Sequence, residues 1–253
     1  MKILPFIILL FCIQTNACTF TMGYRLNERL PLISAAPNNE GLYKDLFSAA
    51  LDKINCKLVI IREPKKRLIK KLKDGNLDFY PGFTFSKERS NYVFFFENGL
   101  DTSFMAISLM KQPNIARIEH LDSKVVLIAH GGPTLGIEHV GAIIRYVEDL
   151  TIEAAINHLL NGKADFYLYP KASIDYYLKI NPQKDIKRHS CCGETTAMQL
   201  GFSKKSPLFT ANEINNNNSI KIAKHSKAYA LLKAIQQMKQ DGTIGKIYNK
   251  YYQ

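Results

Sequence analysis

The sequence predicts an α/β protein of two similar lobes, each a mostly parallel sheet flanked by helices. Strand-like and helix-like segments alternate along the chain, which implies parallel strands joined by right-handed crossovers. The phrase LKDGNLDFYPG (72–82) is nearly repeated as LLNGKADFYLYP (159–170). Each copy reads as a helix end, a tight turn at glycine and entry into a buried strand. With 253 residues, 46% of them hydrophobic, the chain can bury one large core or two ordinary ones.

Taken in order, residues 1–17 read as a signal peptide. Met1-Lys2 is a positive start, Ile3 to Ile13 an apolar run too short to span a membrane, and Gln14 to Ala17 a polar end closing on a small residue. The mature chain then begins at Cys18 in the periplasm. A lipid-anchored form at Cys18 is the alternative, although Thr15 and Asn16 depart from the usual attachment signal.

CTFTMGY (18–24) alternates as a strand, and RLNERLPLISAAPNN (25–39) reads as a loop. Asn39 is expected to cap a helix reaching about Ile54, with Leu42, Leu46, Ala50 and Ile54 on one face. KLVII (57–61) is a buried strand. Pro64 suits the first turn of the next helix, which Asp74-Gly75 ends, and Leu77 to Tyr80 is a further strand. Cys18 starts the first strand and Cys56 immediately precedes the second. Adjacent parallel strands bring those starts side by side, so a Cys18–Cys56 disulfide is expected.

The pattern then recurs. FMAISLM (104–110) and VVLIA (125–129) are strands, the latter followed by the glycine-rich turn HGGPTLG (130–136). TIEAAINHLLNG (151–162) is a helix ending at Gly162, ADFYLY (164–169) a strand, KASIDYYLKI (171–180) a helix and AMQLGFS (197–203) a strand. ANEINNNNSI (211–220) is a polar low-complexity loop. A helical stretch from Ala228 to Tyr252 is interrupted at Asp241-Gly242. The adjacent Cys191 and Cys192 in SCCGETT (190–196) read either as a vicinal disulfide stiffening a turn or as free buried thiols.

The formal charge is +12, but Lys and Arg are scattered. The densest run, PKKRLIKKLK (64–73), places Leu68, Ile69 and Leu72 at helical spacing. It reads as the solvated face of an amphipathic helix, not a nucleic-acid patch. The six His show no metal-ligand spacing, and there is no CxxC pair or GxSxG motif. No metal, cofactor, catalytic residue or nucleic-acid partner is expected, and the chain is read as a monomer.

Four segments carry a family resemblance: GLYKDLFSAALDKI (41–54), LIKKLKDGNLDFYPGFTFSKERSNYVFFF (68–96), HLLNGKADFYLYP (158–170) and LLKAIQQMKQDGTIGKIYNKYY (231–252). In this order they resemble the family 3 bacterial extracellular solute-binding proteins, which serve ABC importers. The resemblance implies a two-lobed clamshell of the type II periplasmic-binding-protein kind. Its lobes are 18–102 with 203–253, and 103–202, with two hinge strands crossing near Thr102 and Ser203. It implies a small ligand between the lobes and a membrane permease as partner.

By the same resemblance Arg89 falls on the arginine that grips a ligand carboxylate, a task its two parallel donors suit. Thr84 falls on a neighbouring hydroxyl, Gly82 on a backbone donor, and Gly131 and Gly132 on amides from the second lobe. Tyr24, ending the first strand, could stack on a ligand. Arg25 and Tyr169 complete the expected cleft set. The family's amino-acid binders usually place an Asp after the second-lobe strand; here stands Pro170, beside Tyr169. An ammonium would need another partner, for which Glu28 is the one candidate. The cationic Arg25, Lys65 and Arg89 instead favour an acidic, carboxylate-bearing ligand. Two rival readings are an enzyme resembling cyclohexadienyl dehydratase, with Glu194 or Glu28 as its acid, and a receptor subunit presenting ligand to a membrane sensor.

Overall fold

A computed structural model describes residues 18–212 and 221–252; the expected leader and most of the polar stretch 211–220 lie outside the described residues. The chain opens with β1 (Cys18–Tyr24), α1 (Leu42–Asp52), β2 (Cys56–Arg62), α2 (Lys65–Asp74) and β3 (Phe79–Tyr80). A short α3 (Lys87–Ser90) precedes the long β4 (Val93–Thr102) and β5 (Phe104–Leu109). Next come β6 (Val125–Ala129), β7 (Ile143–Val147), α4 (Ile152–Leu160), β8 (Phe166–Pro170), α5 (Lys171–Ile180) and β9 (Ile186–His189). The chain closes with β10 (Thr196–Ser203), β11 (Ala211–Asn212), β12 (Lys221–Ile222), α6 (Lys227–Gln240) and α7 (Thr243–Tyr252).

Two five-stranded sheets result, ordered β2-β1-β3-β10-β4 and β7-β6-β8-β5-β9. Their pairings follow one pattern. In the first, β1 runs parallel to β2 and β3, while β10 runs antiparallel to β3 and β4. In the second, β6 runs parallel to β7 and β8, while β5 runs antiparallel to β8 and β9. Each sheet is thus half parallel and half antiparallel. The antiparallel strands β5 and β10 are those that enter directly from the other sheet, where no helical crossover sets a parallel course.

The connections differ from expectation at the return. The outward crossing falls at Ser103, between β4 and β5, close to Thr102. The return falls at residues 190–195, not near Ser203: β10 already belongs to the first sheet from Thr196, which pairs with Thr102. Ser203 is fully buried and its Oγ donates to Leu72 O at 2.6 Å. The boundary expected at 202/203 therefore moves upstream, because a strand's sequence does not record which sheet it joins.

The repeated Asp-Phe-Tyr has a physical role. The Asp78 N–H donates to Thr21 O, and its carboxylate accepts from Thr21 N at 2.6 Å, Thr21 Oγ1 at 2.8 Å and Ser206 Oγ at 2.5 Å. The Asp165 N–H donates to Val125 O, and its carboxylate accepts from Val125 N at 2.8 Å and Gln112 Nε2 at 3.0 Å. Each aspartate makes a reciprocal clamp on a residue of the neighbouring parallel strand, β1 or β6. The Phe-Tyr that follows drives into each core: Phe79, Phe166 and Tyr167 are fully buried.

α1 begins after Gly41, without a side-chain cap. Asn39 does not cap it; its Oδ1 accepts from Arg62 Nη1 at 3.1 Å. α2 follows Pro64 and ends at Gly75, whose φ of 83° is left-handed. Its Leu68 and Leu72 are buried, and Lys66, Lys70 and Lys73 are exposed, as the amphipathic pattern requires. Cys18 and Cys56 stand opposite in register, Cα atoms 4.6 Å apart, and are disulfide-bonded. Cys191 and Cys192 are bonded to each other in the return connection, with Cys192 fully buried.

Candidate functional site

A cavity of about 340 Å³ opens between the two sheets. In the first sheet, Tyr24 ends β1 and Tyr80 ends β3; in the second, Ala129 ends β6 and Tyr169 and Pro170 end β8. All five line it, so it lies beyond carboxyl ends of parallel strands, where α/β sheets bind ligands. Arg25, Gly82, Thr84, Arg89, Gly131 and Gly132 line it as well, so all eight residues expected in the cleft are brought together.

Arg89 is held from three sides. Ser86 caps α3 by accepting from Arg89 N at 3.2 Å. The guanidinium lies over the Phe83 ring, 4.5 Å from its centroid, and Nη1 donates to Thr84 O at 2.7 Å. Nη2 is directed at the turn after β6: a Cβ on Gly131 would come within 3.2 Å of it and 2.9 Å of Lys65 Nζ. With φ at +71°, Gly131 also takes a backbone conformation that other residues rarely adopt. Glycine here lets Arg89 and Lys65 approach main chain of the opposite lobe. Lys65 Nζ donates to His130 O at 3.1 Å. Burial, then the neighbouring Arg89 and Arg25 charges, push its ammonium down to about 8.

Other expectations change in detail. The Gly132 N–H closes its own turn on Ala129 O at 2.8 Å, so this amide is already used. Gly82 is a packing requirement: a Cβ there would lie 2.3 Å from Tyr43 Oη. Tyr24 is buried, stacked on Tyr80 at 5.4 Å. Thus one of its faces is already occupied.

At the far side Tyr169 stacks on Tyr167 at 5.2 Å. Its hydroxyl accepts from Arg25 Nη2 at 3.4 Å, and the Arg29 guanidinium sits 5.5 Å from its ring centroid. Arg29, half-buried and cavity-lining, was not marked by the sequence. Its one visible signal is spacing, four residues from Arg25 in a loop. Tyr80, Phe83, His130, Met198 and Gln199 are further lining residues that were not expected as cleft residues. Arg62 shows how a third arginine supports the others. Nε donates to Arg25 O, Nη1 to Asn38 O and Asn39 Oδ1, and Nη2 to Leu26 O and Ser34 O. It binds the loop that carries Arg25 and Arg29.

The charge balance of the lining is one-sided. It contains Arg25, Arg29, Lys65 and Arg89 and no aspartate or glutamate. Glu28, the candidate ammonium partner, is exposed outside the lining, and so is Glu194. No group of His, Cys, Asp and Glu able to hold a metal occurs among the described residues.

Two mixed α/β lobes around an interlobe cavity are the two-lobed periplasmic-binding-protein fold. The chain matches the model of bacterial extracellular solute-binding proteins, family 3, over residues 30–253, and it belongs to that family. No curated protein matches it in sequence. Among solved structures, it is similar to an ancestral arginine-binding protein bound to arginine (22% identity, TM-score 0.70, covering 93% of this chain and 98% of that one). It is similar to the GluR0 ligand-binding core in complex with L-glutamate (13% identity, TM-score 0.74, 95% and 100%). A third is the substrate-binding protein of an amino acid ABC transporter (20% identity, TM-score 0.68, 92% and 99%). At these identities the likeness establishes the fold.

Proposed function

We propose that the protein is a periplasmic solute-binding protein that captures a small carboxylate-bearing ligand between its lobes and delivers it to an ABC-type permease. The single observation that carries this reading is the cavity lining, with four cations and no carboxylate. A guanidinium held on Phe83 and Thr84 O is already oriented, so less rotamer entropy is lost on binding a carboxylate. The family membership and the transporter neighbour support delivery to a permease. The Cys18–Cys56 bond supports an oxidising compartment. It also favours the released form over the anchored one, since a sulfur in that bond cannot carry a lipid. Capture without catalysis fits the exposure of Glu28 and Glu194, the acids a dehydratase reading would need inside the cleft.

The test is isothermal titration with mono- and dicarboxylates and with neutral and basic amino acids, on wild type and Arg89→Gln. Binding of a carboxylate that Arg89→Gln abolishes is the expected result. Binding of a basic amino acid alone, indifferent to Arg89, would overturn the reading.

A further inference from the structure

The cations in the cleft form two groups, one at the end of each of two neighbouring strands. Arg89 and Lys65 meet at the Gly131 turn after β6. Arg25 and Arg29 meet at Tyr169, in β8. β6 and β8 are adjacent and parallel, so these ends are about 4.8 Å apart by sheet geometry.

Neither group has an acid in salt-bridge contact; Asp149, outside the cavity lining, acts on Lys65 only from longer range. Among the described residues none of the four cations forms an ion pair. Arg25 Nε and Arg29 Nε are buried with no hydrogen-bond partner. Confining cations without anions is costly, and the cost is relieved when an anion arrives. An anion at Arg89 alone would leave the Tyr169 group unrelieved. An ammonium placed there would meet two guanidiniums and no carboxylate. The same cavity is also lined by Tyr80, Phe83, Ile128 and Leu168, surfaces suited to a spacer without charge.

We propose that the ligand is a dicarboxylate with a short, uncharged, amine-free spacer, one carboxylate held by Arg89 and Lys65 and the other by Arg25 and Arg29. This rests on the reading of the cleft as a carboxylate site and adds a second anion subsite to it.

The test uses calorimetry with succinate, glutarate and benzene-1,3-dicarboxylate against monomethyl glutarate, L-glutamate, L-arginine and inorganic phosphate. At least one dicarboxylate is expected to bind, with glutarate exceeding its monomethyl ester by about tenfold or more, since hydrogen bonds to a charged group are lost. Arg29→Gln is expected to weaken glutarate more than the ester and so close the gap between them, whereas Arg89→Gln weakens both. Arg29→Lys, which keeps charge but not the forked donors, is expected to fall between. The melting temperature of ligand-free Arg29→Gln should equal or exceed that of wild type, since an unrelieved cation is removed; a structural arginine would lower it.

Equal binding of glutarate and its ester, or glutarate affinity indifferent to Arg29→Gln, overturns the second subsite and leaves the carboxylate reading intact. Tighter binding of L-glutamate than of glutarate overturns the exclusion of amines. Phosphate exceeding every dicarboxylate overturns the two-ended ligand. If no dicarboxylate binds and L-arginine does, both readings fall.

Discussion

Arg89, Arg62 and Arg29 show what one residue type does in three settings. Arg89 was legible because its surroundings form a local motif, with Phe83, Thr84 and Ser86 within six residues of it. Arg29 was not, because the direction of a loop side chain depends on the contacts Arg62 makes with five acceptors between residues 25 and 39. Arg62→Ala should therefore weaken ligand binding without touching the cavity, by releasing the loop that carries Arg25 and Arg29; calorimetry on this variant checks it. Lys65 adds a pH signature. Its folded pKa of about 8 lies below the ordinary lysine value near 10.5. Between these the unfolded chain holds a proton that the ligand-free fold lacks, so stability from this group rises with pH across that window. An anionic ligand favours the ammonium. Its affinity should be level below pH 8 and fall by up to about tenfold per unit above it. Titrations in buffers of different ionisation enthalpy near that pH should show proton uptake, and Lys65→Met should abolish both effects.

At the scale of elements, the sequence marked strands through alternation and β-branched runs, and helices through their apolar stripes. β4 escaped because Glu97, Asn98 and Gly99 interrupt VFFFENGLDT with residues that usually end strands. β7 escaped because Ile143–Val147 is an edge strand with three of five residues exposed. The repeated aspartates were visible, but their clamps are not, since the partners Thr21 and Val125 are far away in sequence. Asp78→Ala should cost about 3 kcal/mol and Asp165→Ala about 2 kcal/mol, because each leaves buried donors unpaired and Asp78 accepts more of them. Urea denaturation measures both, and a reversed order would show that acceptor count does not govern the loss. The Cys18–Cys56 bond closes a separation of 38 residues, worth about 4 kcal/mol in the chain-entropy picture. Cys56→Ala should lower the melting temperature markedly under oxidising conditions and change nothing in excess reductant.

Across the molecule, two sheets with one strand pattern face each other over the cavity, joined at Ser103 and at 190–195. Polar contacts cross the gap: Lys65 Nζ to His130 O, Asn27 Nδ2 to Asp149 O at 3.2 Å and Lys66 to Glu148 at 3.0 Å. These are mostly exposed and individually weak, so ligand supplies much of what draws the lobes together. Spin labels placed on α2 and α4 should show a shorter, narrower distance distribution when ligand is added; an unchanged distribution would mean a rigid cleft.

The two sheets also differ in how they draw on the chain. The second takes all its strands from one uninterrupted stretch, 104–189, whereas the first waits for β10 and is covered by α6 and α7. As the polypeptide emerges, the second lobe is complete while the first still lacks a central strand and the helices that cover its core. Assembly is therefore expected to run from the middle of the chain outward. A fragment ending before β10 should contain one ordered lobe and one that has not yet formed.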